Sequence, residues 1–254
     1  MFRIYALLIG YAFGLIQTAY FIGKAHGIDI REHGSKGAGA TNTNRVLGRK
    51  AGILVFIVDI LKTVVAFWVA VAIFTDWDRV RWTLTGFSYT LWNPNYIGFL
   101  AGMYAAVGAV LGHCFPFYLK FRGGKGISCM VGLMLIVLDW RAIIIIAVIA
   151  IAAIAIFRYI SLASLIITAF APVALAVFGA RPEMLIGTDL QNYFDDMIMT
   201  VPLTSRTIDE AVVIMITLAV LAWWLHRGNI RRLISGTERK FSFKKRTTQE
   251  GETQ

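Results

Sequence analysis

The sequence predicts an all-α integral membrane protein, on three observations. Hydrophobic residues make up 57% of the 254 residues, charged residues only 16%, and the mean hydropathy is +0.66. An ordinary soluble domain is about one quarter charged. Apolar runs long enough to cross a bilayer, about 20 residues each, recur along the chain. The Lys and Arg residues between these runs are distributed unevenly.

Seven transmembrane helices are predicted, at 3–23, 52–74, 96–112, 127–139, 141–157, 162–179 and 209–225. The first run, Ile4 to Ile22, is too long for the apolar core of a signal peptide and lacks a clear cleavage site, so it reads as a retained helix. The fourth and fifth are short and meet at Asp139-Trp140-Arg141. They form either a broken hairpin or one long helix, with tilt or local thinning compensating for spans of about 13–17 residues. The connections 24–51, 113–126 and 158–161 and the tail 226–254 hold 18 of the 25 Lys and Arg residues. The opposite side holds 6, with most of the acidic residues, and Lys62 lies inside a span. The positive-inside rule then puts these connections and the C-terminus in the cytoplasm and the N-terminus outside, which requires an odd number of spans. Trp77, Trp82, Tyr89, Trp92, Tyr96 and Tyr193 in the outer connections read as interfacial belts. The expected organisation is a single membrane domain over 1–245 and a polar, disordered tail over 246–254.

The net charge of +10 could suggest nucleic acid. The basic residues lie beside apolar spans, however, so anionic membrane lipid is the expected partner and nucleic acid is not. No obligatory protein partner is evident. Cys114 and Cys129 form no CxxC pair, and neither a disulfide nor a metal site is expected.

Three polar stretches lie at the edges of apolar runs. Residues 33–45 include Ser35, Lys36, Gly39, Ala40, Thr41, Asn42, Asn44 and Arg45. Glycine lets a backbone turn tightly and bring its N–H groups close to a ligand. Arg and Lys supply the charge that matches phosphate. Residues 112–126 include His113, Pro116, Lys120, Arg122, Gly123, Gly124, Lys125 and Gly126. This is not a Walker A loop, because Gly126 stands where Ser or Thr is needed. Residues 226–240 include His226 and Asn229, which share a face at helical spacing, then Arg231, Arg232, Gly236, Thr237 and Glu238. Histidine is suited to proton transfer at neutral pH. Arg158-Tyr159-Ile160-Ser161 adds a cation and two hydroxyls. Asp59 and Lys62, three residues apart inside the second span, read as a structural ion pair or one bracing the site rather than as catalytic groups, since charge at that depth is costly unless paired. No HxxxxD, HExxH, Cys/His cluster or Rossmann fingerprint occurs, and no cofactor is expected. Loops holding phosphate at a membrane surface suggest an enzyme joining a soluble phosphate compound to a lipid. An organic-phosphate transporter and a non-catalytic lipid-binding protein are the alternatives.

These three motifs resemble those of the bacterial acyl-phosphate:glycerol-3-phosphate acyltransferases, the PlsY family. Gly34-Ser35 through Gly39-Ala40-Thr41-Asn42 and Arg45-Val46-Leu47-Gly48 are similar to the first motif. Gly112-His113-x-Phe115-Pro116 with Phe121-x-Gly123-Gly124-Lys125-Gly126 is similar to the second. His226-x-x-Asn229-Ile230-x-Arg232-Leu233 with Gly236-Thr237-Glu238 is similar to the third. Asp59-Ile60-Leu61-Lys62 and the segment from Arg158 to Ser164 also match family segments, in order along the chain. Lys36-Gly37-Ala38 departs from the family's usual Gly-Asn-Pro.

The resemblance implies seven helices in the bacterial inner membrane, with a cytoplasmic active site, no metal and no cofactor. It implies transfer of a fatty acyl group from acyl phosphate to the 1-hydroxyl of sn-glycerol 3-phosphate, the first acylation of phospholipid synthesis. Arg45 and Lys125, with Lys36 and Arg232, would counter the charge of two phosphates. Backbone N–H groups from Gly39, Ala40 and Thr41 to Asn42 would cradle one of them. Ser35 and Ser161 would orient the acceptor. His113, Gly123, Gly124 and Glu238 would line the substrate site. His226, held by Asn229, or a substrate phosphate oxygen would take the hydroxyl proton. Ser35 as a covalent nucleophile lacks a visible His-Asp partner.

Overall fold

The computed structural model describes residues 1–75, 95–178 and 205–241. In hydrocarbon no water serves the backbone, so apolar runs satisfy their N–H and C=O groups internally, as helices. Among the described residues these are α1 (Phe2–Gly14), α2 (Thr18–Ala25), α3 (Ala40–Leu47), α4 (Arg49–Phe74) and α5 (Asn95–Cys114). They continue as α6 (Ile127–Val137), α7 (Trp140–Phe157), α8 (Ile160–Phe178), α9 (Ser205–Leu225) and α10 (Arg227–Ile234). Of these, α3 and α10 are short polar helices at the edge of the bundle.

Six segments among the described residues are long and apolar enough to cross a membrane. They are Phe2–Ala25, Arg49–Phe74, Ile97–Leu119, Trp140–Phe157, Ile160–Phe178 and Thr207–Leu225. The chain is a multi-pass membrane protein. The expected helix at 127–139 is only the 11 residues of α6, a rise of about 16 Å against a hydrocarbon core of about 30 Å. It stops at Leu138, whose backbone is extended. Asp139 then starts α7 by accepting the Arg141 N–H at 2.9 Å. The stretch 127–157 is therefore two helices rather than one.

The first apolar run also breaks, which its hydropathy does not predict. Residues Leu15 to Gln17 interrupt the helix between α1 and α2. Side chains serve the freed carbonyls: Gln17 Nε2, from the break itself, donates to the Gly14 carbonyl at 3.2 Å, and Lys62 Nζ, distant in sequence, to that of Ile16 at 2.8 Å. The second span begins at Arg49, earlier than expected, and Arg45 stands on a separate helix, α3, which Gly48 ends at φ 88°.

The centre of the bundle is α5, where Leu100, Met103 and Val110 have no exposure. It meets α1 through glycine. A Cβ on Gly108 would lie 2.1 Å from the Leu7 carbonyl oxygen, and one on Gly10 1.8 Å from that of Ala105. Close backbone approach of this kind is how helices gain contact in lipid, where hydrophobicity alone does not drive them together. α7 packs against α8 and leaves Ile144, Val148, Ile151 and Ile156 exposed, a lipid-facing surface.

The two ends of the bundle differ. At one, Arg3 of α1 pairs with Glu210 of α9 at 2.7 Å, and Tyr104 of α5 donates to the same carboxylate at 2.9 Å. At the other, the loops after α2 and α5 meet the tail after α9. All three polar stretches lie there. The outer connections with Trp77, Trp82, Tyr89, Trp92 and Tyr193, the Tyr96 side chain and the tail beyond 241 lie outside the described residues.

Candidate active site

Asn42, on the first turn of α3, organises the loop of residues 33–39. Its side-chain amide donates to the carbonyls of Ile30 at 2.9 Å, His33 at 3.0 Å and Gly37 at 2.9 Å. Its Oδ1 accepts from the Ser35 N–H at 2.6 Å and the Ser35 hydroxyl at 3.0 Å. Gly34 passes so close that a Cβ there would lie 2.3 Å from that oxygen. Asn42 is buried, and its own N–H bonds the Gly39 carbonyl, so it acts here as a scaffold. The N–H groups of Gly39, Ala40 and Thr41 meet no protein acceptor among the described residues. They form the open first turn of a helix, the geometry that receives anions.

The second loop folds back on the end of α5. Gly123 N–H bonds the Cys114 carbonyl and Gly124 N–H the His113 carbonyl, each at 3.1 Å. A Cβ on Gly124 would lie 2.0 Å from His113 Nε2 and 2.7 Å from the Ala38 carbonyl oxygen. Gly124 thus wedges between the His113 ring and the first loop. Arg31 ties the loops together, donating to the Leu119 carbonyl at 3.1 Å while its guanidinium pairs with Asp29 at 2.7 Å.

The third stretch forms α10 and a reversal. Gly236, at φ 70°, ends the helix in the left-handed conformation, and the N–H groups of Thr237 and Glu238 both return to the Arg232 carbonyl. Glu238 is thereby folded underneath. Its carboxylate accepts from Ser161 Oγ at 2.9 Å, Asn229 Nδ2 at 2.7 Å and Arg232 Nε at 2.7 Å. The free face of Asn229, Oδ1, accepts from Lys125 Nζ. One chain of contacts therefore joins the second loop, α10, the tail and the start of α8.

The electrostatics are dominated by surplus positive charge. Burial pushes the Lys125 ammonium down to about 8; Glu238 opposes this, while Arg232 and Arg45 add to it. Burial likewise lowers Arg45, helped by Arg239 and Arg232. The Arg45 side chain makes no hydrogen bond or ion pair among the described residues. Burial alone would raise the Glu238 carboxyl, but hydrogen bonds from Arg232, Asn229 and Ser161 hold it below its ordinary value. His226 is buried, which lowers it to about 4 with the help of Lys125, so the ring is neutral at pH 7. Its Nδ1 lies 2.7 Å from the Ala222 carbonyl oxygen and must carry the proton to bond there, which leaves Nε2 as an open acceptor.

The structure brings Arg45, Lys125, His226, Asn229, Arg232 and Glu238 into one cluster. Arg239 joins it through its effect on Arg45, a residue that reading the sequence missed because charge in a tail usually means a solvated face. Lys36 is exposed, with φ 60°. His113 faces inward: its Nδ1 lies 2.9 Å from Lys62 Nζ, away from the cluster. No three His, Cys, Asp or Glu side chains among the described residues gather as metal ligands would. The arrangement can hold more than one phosphate beside a neutral imidazole, at the edge of an apolar bundle.

Comparison with known proteins gives the same direction. Residues 4–236 match the family model described as glycerol-3-phosphate acyltransferase. The chain is similar to the glycerol-3-phosphate acyltransferase of Halalkalibacterium halodurans, 36% identical over 95% of this chain and 97% of that one. It is 35% identical to that of Shouchella clausii, over 94% and 95% of the two chains. The crystal structure of PlsY (YgiH), an integral membrane glycerol 3-phosphate acyltransferase, in its glycerol 3-phosphate form superposes with a TM-score of 0.67. Identity there is 26%, covering 94% of this chain and 96% of that one. With residues 4–236 matched by the family model and about 95% of its length by these relatives, this chain belongs to the glycerol-3-phosphate acyltransferase family.

Proposed function

We propose that the protein transfers a fatty acyl group from acyl phosphate to the 1-hydroxyl of sn-glycerol 3-phosphate, releasing lysophosphatidate and inorganic phosphate. One observation carries the reading: Arg45, Lys125 and Arg232 converge beside a neutral His226, with Glu238 as their only close anion among the described residues. Donor and acceptor each bring a phosphate of about two negative charges at neutral pH. Their mutual repulsion opposes the attack unless cations sit between them. A carrier thioester donor brings no such second phosphate to the reacting carbonyl.

In this reading Arg45, Lys125 and Arg232 hold the two phosphates, with the open N–H groups of Gly39, Ala40 and Thr41 cradling one. Ser35 and Ser161, each held by a fixed partner, line the acceptor side together with Gly123 and Gly124. The acceptor hydroxyl oxygen forms a bond to the acyl carbonyl carbon, and the carbon–oxygen bond to phosphate breaks. The proton passes to His226 Nε2 or to a phosphate oxygen. The donor is already activated, so positioning supplies much of the acceleration. No metal or cofactor takes part.

The same reading has the chain crossing the bacterial inner membrane seven times as one domain over 1–245, the N-terminus outside and the site in the cytoplasm. α6 makes its crossing with the extended Leu138–Asp139 and local thinning of the bilayer. The test is to supply purified protein with glycerol 3-phosphate and, in parallel, acyl phosphate, acyl-CoA or acyl-carrier protein. Lysophosphatidate and phosphate should form from acyl phosphate alone. Product from either thioester, with none from acyl phosphate, overturns the donor assignment.

A further inference from the structure

We infer that the buried Asp59–Lys62–His113 network is the device that positions Lys125, so that these residues act on the reaction through the Gly123–Lys125 loop. The inference rests on the phosphate-clamp reading of Lys125.

The network lies inside the bundle. Lys62 Nζ sits 2.8 Å from Asp59 Oδ1, 2.9 Å from His113 Nδ1 and 2.8 Å from the Ile16 carbonyl oxygen. The Thr18 hydroxyl reaches Asp59 at 3.4 Å. Asp59 and Lys62 side chains are 1% and 2% exposed, so no ligand touches them directly. An ion pair buried to this degree gives little net stability compared with apolar residues of the same size. Its effect therefore lies in what it fixes.

What it fixes is His113. With Nδ1 held by Lys62, the ring cannot turn, and its Nε2 edge forms the wall against which Gly124 rests. The His113 carbonyl takes both the Gly124 N–H at 3.1 Å and the Gln17 amide at 3.0 Å. Gly124 is confined on its other side by the Ala38 carbonyl of the first loop. The next residue is Lys125, whose ammonium reaches Asn229. A shift of the ring is thus passed through Gly124 directly to the lysine. The broken first helix belongs to the same device, because the freed Ile16 carbonyl supplies the third acceptor for the Lys62 ammonium.

The test is a double-mutant cycle with Lys125, read as kcat/KM for glycerol 3-phosphate at saturating acyl phosphate. One arm is the Asp59→Asn/Lys62→Met pair, which removes both charges and leaves neither orphaned. The other is His113→Asn, which keeps an acceptor for Lys62 but deletes the ring edge against Gly124. His113→Asn preserves the buried charge balance, so it carries the test if the first arm yields no folded protein. Each should lower kcat/KM about ten-fold or more with Lys125 present and less than about three-fold in Lys125→Ala. Equal factors in both backgrounds overturn the inference, as does full activity of His113→Asn with Lys125 present. An unmodified protein inactive with acyl phosphate, or a Lys125→Ala variant as active as the unmodified chain, would instead refute the reading beneath it.

Discussion

At the scale of single residues the site divides into groups that hold each other and groups left open. Asn42 belongs to the first kind: one amide serves three carbonyls and one oxygen serves Ser35. Asn42→Ala removes the donor of the Gly37 carbonyl, leaves those of Ile30 and His33 with one backbone N–H each, and untethers Ser35. A loss of about 1–3 kcal/mol is expected, seen as a lower thermal midpoint in detergent together with lost activity; an unchanged midpoint would remove Asn42 from the scaffold. Lys125 belongs to both kinds: it donates to Asn229 and still brings its charge to the cluster. With a pKa near 8 it is a cation below that pH and neutral above it. The acceptor phosphate becomes a dianion above about pH 6. kcat/KM for glycerol 3-phosphate should therefore rise through about pH 6, level off, and fall above about pH 8. Bound phosphate favours the ammonium, so the basic limb of kcat lies at higher pH. His226, at about 4, is already neutral throughout this window and sets neither limb. A pH series on the purified enzyme and on Lys125→Ala checks the assignment, since the basic limb should vanish in the variant.

At the scale of elements, contact between α1 and α5 depends on missing side chains. Gly108→Val puts a β-branched group where even a Cβ lies 2.1 Å from the Leu7 carbonyl oxygen. The helices must part, at a cost of about 1–3 kcal/mol, measurable as a lower thermal midpoint with the polar cluster unaltered in sequence. The apolar helices were legible because lipid leaves a run of Ile, Leu and Ala little else to form. The break at Leu15–Gln17 was not: no Pro marks it, Gly14 before it differs in no visible way from Gly10 inside α1, and its stabilising partners are Lys62, Gly112 and His113. The helix α3 was hidden for another reason, since Ala40-Thr41-Asn42-Thr43-Asn44 reads as loop residues, and Asn42 is used by the loop it closes. The site's residue types were visible as polar motifs at the edges of apolar runs. Their division into braces and open groups was not, because Ser161 meets Glu238 and Lys125 meets Asn229 only after folding.

At the scale of the whole molecule, one end of the bundle gathers the three polar stretches, and the sequence places most of the Lys and Arg in the same connections. Its other end is braced by Arg3, Glu210 and Tyr104. This asymmetry should fix how the chain sits in the bilayer, because Lys and Arg resist translocation. The native thiols do not complicate a labelling test: Cys114 and Cys129 are both free and both buried. Arg141 and Lys240 are exposed and lie at opposite ends. In intact spheroplasts, Arg141→Cys should react with a membrane-impermeant maleimide, whereas Lys240→Cys should react only after the membrane is opened. The unmodified chain supplies the background. Reversed labelling would invert the orientation and place the cationic cluster outside, away from any cytoplasmic source of glycerol 3-phosphate. Labelling of both from outside would mean that an even number of crossings separates the two positions, so one of the three long helices between them, α7, α8 or α9, would have to be reassigned.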